Sequence, residues 1–131
     1  LHFDLHQIPL ENDRFDVVFC NHVMEHVQDP IQCMSELFRV LKPGGWAIMQ
    51  VPQDFSRDTT YEDSSIVTEA DRELHYWQKD HVRLFGKDYP SYLEKVGFET
   101  SIFDFHSHYS SEEIEHFRLM KNEVLYIFKK P

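Results

Sequence analysis

Between Phe15 and Pro52 the apolar positions pass from a continuous run to helical spacing and back to a run. Phe15 to Cys20 is short, apolar and rich in Val and Phe, the pattern of a strand buried on both faces. Ile31, Met34, Leu37, Phe38 and Leu41 then recur at helical spacing and form one stripe. Asp29 is placed to cap that helix, and Pro30 suits its first turn, where a missing N–H is harmless. Pro43-Gly44-Gly45 stops the helix over Pro30–Leu41, and Trp46 to Val51 is a second apolar strand. A helix joining two buried strands predicts a right-handed parallel crossover. Ligands of such sheets sit at the carboxyl ends of the strands, which is where Asn21, His22 and Glu25 fall.

The rest of the chain extends this α/β pattern. Leu1 to Leu5 reads as the end of a strand with Asp4 at its tip, and Pro9 to Arg14 as a polar turn. Gln53 to Asp71 is long, polar and without a clean period, which predicts a lid, a substrate loop or a disordered stretch, with a lid or acceptor loop region over about residues 53–80. Ala70 to Lys79 predicts a short helix, capped by Thr68 or Asp71, with Leu74 and Trp77 inward. Asp88 to Val96 predicts another, apolar at Tyr89, Tyr92, Leu93 and Val96 and ended by Gly97. Phe98 to Phe105 alternates imperfectly as a strand. Ser110 or Ser111 opens a helix through Met120, with Glu112 and Glu113 favourable to its dipole and Asn122 breaking it. Val124 to Phe128 is the last strand. The expected sheet is largely parallel, finished by an antiparallel last strand.

Composition narrows the function. At 131 residues the chain is expected to form one domain. Its net charge of −10 argues against nucleic-acid backbone or anionic membrane as partner. Neither a membrane span nor a signal peptide is visible in it. Two isolated cysteines, Cys20 and Cys33, read as reduced thiols in a cytoplasmic setting. The chain opens at Leu1 in strand-like sequence and reads as part of a longer protein.

His22-x-x-Glu25-His26 matches the inverted zinc-peptidase signature, in which two His share a helical face around zinc and Glu activates water. That chemistry needs the motif inside a long helix. Here a strand ends just before it and Asp29-Pro30 opens a new helix just after it, so no metal is assigned. His106, His108 and His116 lack a ligand set at a recognised spacing and read as surface histidines.

The segments taken together resemble the class I S-adenosylmethionine-dependent methyltransferases of the type 11 branch. The resemblance rests on Phe15-Asp16-Val17-Val18, on His22, Glu25, His26 and Val27, on Asp29-Pro30, and on the Arg39 to Gly45 turn. It extends to Asp4 upstream and to His81-Val82-Arg83 and Gly97-Phe98 downstream. It implies a Rossmann-like sheet, S-adenosylmethionine as cofactor and a small-molecule acceptor. By position it implies that Asp4 and Leu5 meet the adenine and that Asn21 and His22 lie beside the methionine moiety. Glu25 and His26 then face the pocket or brace its wall. His81 and Arg83 aim at an acceptor anion or form a hinge between lid and core. Tyr61, Glu62 and Asp63 are candidates to line the acceptor side, and Glu25, His26 or His81 to act as base.

The glycine-rich cofactor loop and the ribose-binding acid of that family are absent, since all four glycines sit in the turns at 44–45, 86 and 97. The expected domain is therefore incomplete: inactive alone, a weak cofactor binder, and left with a strand edge that invites dimerisation. Two rival readings are a zinc hydrolase built on His22, Glu25 and His26, and a cofactor-free, non-catalytic module.

Overall fold

Helix α1 (Pro30–Val40) begins where Asp29 leaves the extended conformation and its side chain accepts a hydrogen bond from the Gln32 N–H. Its buried stripe is Pro30, Cys33, Met34, Leu37 and Val40. The predicted stripe is thus shifted: Ile31 lies exposed, and Leu41 already belongs to the next strand. The computed structural model describes residues 3–119 and 124–131.

Strand β1 (Phe15–Phe19) and strand β2 (Leu41–Ile48) run parallel on either side of that crossover. Phe15 pairs with Leu41, but Val17 pairs with Trp46, so Lys42 to Gly45 bulge out of the ladder. Gly45 is required there, because a Cβ would lie 2.9 Å from the carbonyl oxygens of both Asp16 and Lys42. The parallel pattern continues past the strands through Cys20 N–H to the Ile48 carbonyl and His22 N–H to the Gln50 carbonyl.

Helix α2 (Glu69–Tyr76), helix α3 (Tyr89–Val96) and strand β3 (Glu99–Phe103) follow. The short helices α4 (Phe105–His108) and α5 (Ser111–His116) and strand β4 (Leu125–Lys129) complete the order. Sheet order is β1-β2-β4-β3, with β4 antiparallel to both β2 and β3. Three strands therefore point one way and the last runs against them, as the sequence predicts. The expected Met120 and Asn122 helix end lies outside the described residues.

The core is shared by β2, β4, α1 and α3, where Ala47, Met49, Phe128, Leu37, Tyr89 and Leu93 are buried together. Phe38 meets Phe98 edge to face at 4.9 Å, locking α1 against the turn after α3. The expectation that β1 is buried on both faces is corrected. Phe15 and Phe19 are exposed, Phe19 by 66%, because no described element covers their side. Leu74 and Trp77 also point outward, at 76% and 53%, and Tyr76 is the buried residue of α2. Trp77 adopts a left-handed conformation that ends the helix and turns the chain back toward the core.

Candidate active site

The loop after β1 is held in place by backbone geometry before any side chain acts. Asn21 follows the strand, and its Oδ1 accepts from the Gln50 N–H at 2.9 Å. His22 takes a left-handed φ of 56°, and a single turn then closes from the His26 N–H to the Val23 carbonyl. Residues 21–28 contain no helix. The inverted zinc-peptidase geometry therefore does not form, and the exposed His22 ring does not share a helical face with His26.

The turn carries Glu25 into the interior. The residue is 1% exposed, its Oε1 lies 3.6 Å from His22 Nδ1 and 3.8 Å from His26 Nε2, and its Oε2 has no hydrogen-bond partner among the described residues. The segment Asp80 to Arg83 packs against this turn. Val82 donates its N–H to the Glu25 carbonyl, and His26 Nδ1 sits 3.2 Å from the Asp80 carbonyl. His81, also 1% exposed, presents its ring edge-on to His26 at 4.8 Å between centroids. Glu25 and His26 are thus brought beside His81, which is distant in sequence.

Arg83 is what staples the two segments together. Its Nη1 donates to the carbonyls of Met24 and Val27, its Nη2 to the Gln28 carbonyl and Glu62 Oε1, and its Nε to Glu62 Oε2. A guanidinium has five N–H donors, and every one is engaged. Of the two expectations for Arg83, this geometry is that of the hinge, a buried clamp whose donors are already taken within the chain.

The segment 53–80 is joined to the residues that follow it at several points. Tyr61 pairs with Leu84 and Gln53 with Phe85 as isolated bridges, and Thr60 Oγ1 donates to Asp88 Oδ1. The Tyr61 ring packs against Tyr76, and its hydroxyl lies 3.3 Å from His75 Nδ1. Tyr76 was not legible as a site residue. Its hydroxyl accepts from the Asp63 N–H, and its carbonyl faces His81 Nδ1 at 2.9 Å. Burial raises its phenol above the ordinary range.

On the other side of β1, Leu5, Ile8, Val17, Cys20, Leu37 and Val40 line an apolar groove of about 270 Å³. Asp4 stands exposed near its edge. The His6 N–H and Nδ1 both bond to Asp4 Oδ1, which holds the carboxyl below its usual range. Cys20 and Cys33 are buried, and burial pushes both thiols up to about 11.

Comparison with known proteins fits this arrangement. Residues 1–49 match the family model described as a methyltransferase domain. Over 63 residues, 48% of the chain, it is 38% identical to an uncharacterised protein of transposon TN4556 from Streptomyces fradiae, covering 18% of that protein. Over 51 residues, 39% of the chain, it is 43% identical to a protein of Mycolicibacterium smegmatis named a "probable S-adenosylmethionine-dependent methyltransferase", covering 20% of it. The chain thus spans about a fifth of the curated relatives it matches. In structure, 98% of it overlays 36% of phosphoethanolamine N-methyltransferase 2 of Haemonchus contortus, solved with S-adenosyl-L-methionine, at a TM-score of 0.58 and 16% identity. Residues 1–49 are thus similar in sequence to methyltransferase domains, and the chain shares the fold of the solved methyltransferase it overlays.

Proposed function

We propose that the protein transfers a methyl group from S-adenosylmethionine to a small-molecule acceptor at the carboxyl ends of β1 and β2. The observation that carries this reading is the parallel crossover, whose exit loop gathers Asn21, His22, Glu25 and His26 beside His81. The family match over residues 1–49 supports it. So does the chemistry of the residues present. Both bonds to Asp4 use Oδ1, which leaves Oδ2 to accept from the exocyclic amine of adenine. Leu5, on the wall of the apolar groove, offers a surface for the ring. Asn21 and His22 border the methionine end. The net charge of −10 favours a small acceptor over a nucleic acid.

When bound, the cofactor supplies an activated methyl on a sulfonium. The protein's task is then to align the acceptor, which is worth several orders of magnitude in rate. A base is needed only where the acceptor carries a proton to lose, and Glu25, His26 or His81 would serve as that base. Tyr61 borders the acceptor side. The glycines of this chain serve its turns and add no grip on the carboxypropyl end, so contacts beyond these residues are expected to supply most of the cofactor affinity.

Calorimetric titration of the full-length protein with S-adenosylhomocysteine tests the reading. Binding is expected, weakened about tenfold in Asp4→Ala, the equivalent of about 1.4 kcal/mol for one lost hydrogen bond. Transfer of label from the cofactor to small O, N and C nucleophiles, with RNA and protein in parallel, then tests the acceptor class. Absence of binding overturns the methyltransferase reading, and label found only in a macromolecule overturns the small-molecule part.

A further inference from the structure

We propose that Glu25, His26 and His81 form a binding site for one divalent transition-metal ion of the zinc type. The inference goes beyond methyl transfer and rests on this geometry alone.

The donor atoms of the three residues lie within 4.8 Å of one another, and His26 Nε2 is already 3.8 Å from Glu25 Oε1. Donors about 2.1 Å from a tetrahedral ion stand roughly 3.4 Å apart, so side-chain movements below an ångström close the set. The ring nitrogens are pre-sorted for the task. His81 Nδ1 faces the Tyr76 carbonyl at 2.9 Å, which fixes the proton on Nδ1 and leaves the Nε2 lone pair free. His26 Nδ1 faces the Asp80 carbonyl at 3.2 Å and Asp80 Oδ2 at 3.4 Å, and its Nε2 points to Glu25. Carbonyl or carboxylate acceptors on the far nitrogen are how metal-binding histidines are held.

A second observation is independent of the first. Glu25 Oε2 is buried without a hydrogen-bond partner among the described residues. An unpaired oxygen of a buried carboxylate is disfavoured, and a cation beside it removes that penalty. Two imidazoles and one carboxylate suit Zn²⁺ and its neighbours rather than Mg²⁺ or Ca²⁺. Three protein donors leave a coordination position open, and the half-exposed His26 puts it within reach of water or an acceptor oxygen.

The test uses the full-length protein, stripped of metal and titrated with ZnCl₂ by calorimetry and with CoCl₂ by visible absorption. The expected result is one ion per chain, with cobalt bands of low-coordinate geometry that zinc abolishes. Glu25→Gln and His26→Gln are expected to weaken binding at least tenfold. His81 is buried and its replacement endangers folding, so the half-exposed His26 provides the second variant. Zinc should raise the thermal midpoint of the wild type and leave that of His26→Gln unchanged. No stoichiometric binding overturns the proposal. So does binding that both variants leave intact, which would assign it to other histidines among the nine. Cofactor binding is measured separately, so loss of the metal site leaves the methyltransferase reading standing.

Discussion

Arg83 and Glu62 form a two-pronged ion pair, Nε to Oε2 at 3.0 Å and Nη2 to Oε1 at 3.1 Å, with the guanidinium buried and the carboxylate half-exposed. The remaining donors hold the carbonyls of Met24, Val27 and Gln28. The loop carrying Glu25 therefore depends on the arginine more than on its acidic partner. Arg83→Lys keeps the charge but cannot span that fork. It is expected to lower the unfolding free energy by about 3–5 kcal/mol, the scale of breaking a buried charge pair. Glu62→Gln leaves the carbonyl contacts in place and should cost about 1–2 kcal/mol. Urea denaturation of both variants decides it. Equal losses would show that the ion pair, and not the carbonyl clamp, carries the stability.

Gly97 ends α3 at a φ of +118°, and its N–H reaches the carbonyls of Leu93 and Glu94. A Cβ there would also come within 3.1 Å of Phe38 Cζ. Gly97→Ala is expected to cost about 1–3 kcal/mol from backbone strain alone, with ring contact added. Phe38→Leu in the same background separates the parts: it relieves the contact and not the strain. A coupling energy near zero in the double-mutant cycle would show that the ring yields freely.

What could be read from the sequence follows from what local rules encode. Asp29-Pro30, the α1 stripe and Gly97 are local signals, and the elements they announce are present within a residue or so. The parallel crossover was equally legible, because continuous apolar runs around a helix admit few alternatives. The errors arise where tertiary packing decides. Leu74 and Trp77 looked like the inward side of α2, but the left-handed turn at Trp77 aims that residue outward and Tyr76 fills the interior. For Arg83 an anion anchor and a hinge stayed equally open, since no rule of spacing announces that carbonyls far upstream in the sequence will converge on it. The contact of His81 with Glu25 and His26 depends on the same convergence, so each residue could be singled out but not their grouping.

Ser110 opens α5 with a reciprocal pair: its hydroxyl accepts from the Glu113 N–H, and Glu113 Oε2 accepts from the Ser110 N–H at 2.9 Å. The helix has one buried residue, Ile114, so its ends matter more than its packing. Ser110→Ala is expected to lose about 1 kcal/mol. The loss should be local. Amide exchange should quicken within residues 111–117 while β2 and α1 keep their protection. Exchange that quickens throughout would mean that α5 unfolds together with the sheet.

Cys20 and Cys33 bring pH into the stability of the core. Both thiols are held at about 11, against 9.0 for an exposed one, chiefly because burial disfavours the thiolate. Between those values the unfolded chain releases protons that the folded chain retains. The unfolded state then binds fewer protons, so stability must fall as pH rises. The full stabilisation is present below about pH 9 and is lost as pH climbs toward about 11. Urea midpoints measured across that window should decline. Cys20→Ala and Cys33→Ala should each flatten the decline, even though deleting a buried sulfur lowers the starting stability. The same neutral thiols should resist a thiol-reactive probe near neutral pH until the protein unfolds. Rapid labelling of the native protein at Cys20 would show that its surroundings admit a thiolate, and the argued pH dependence would fail with it.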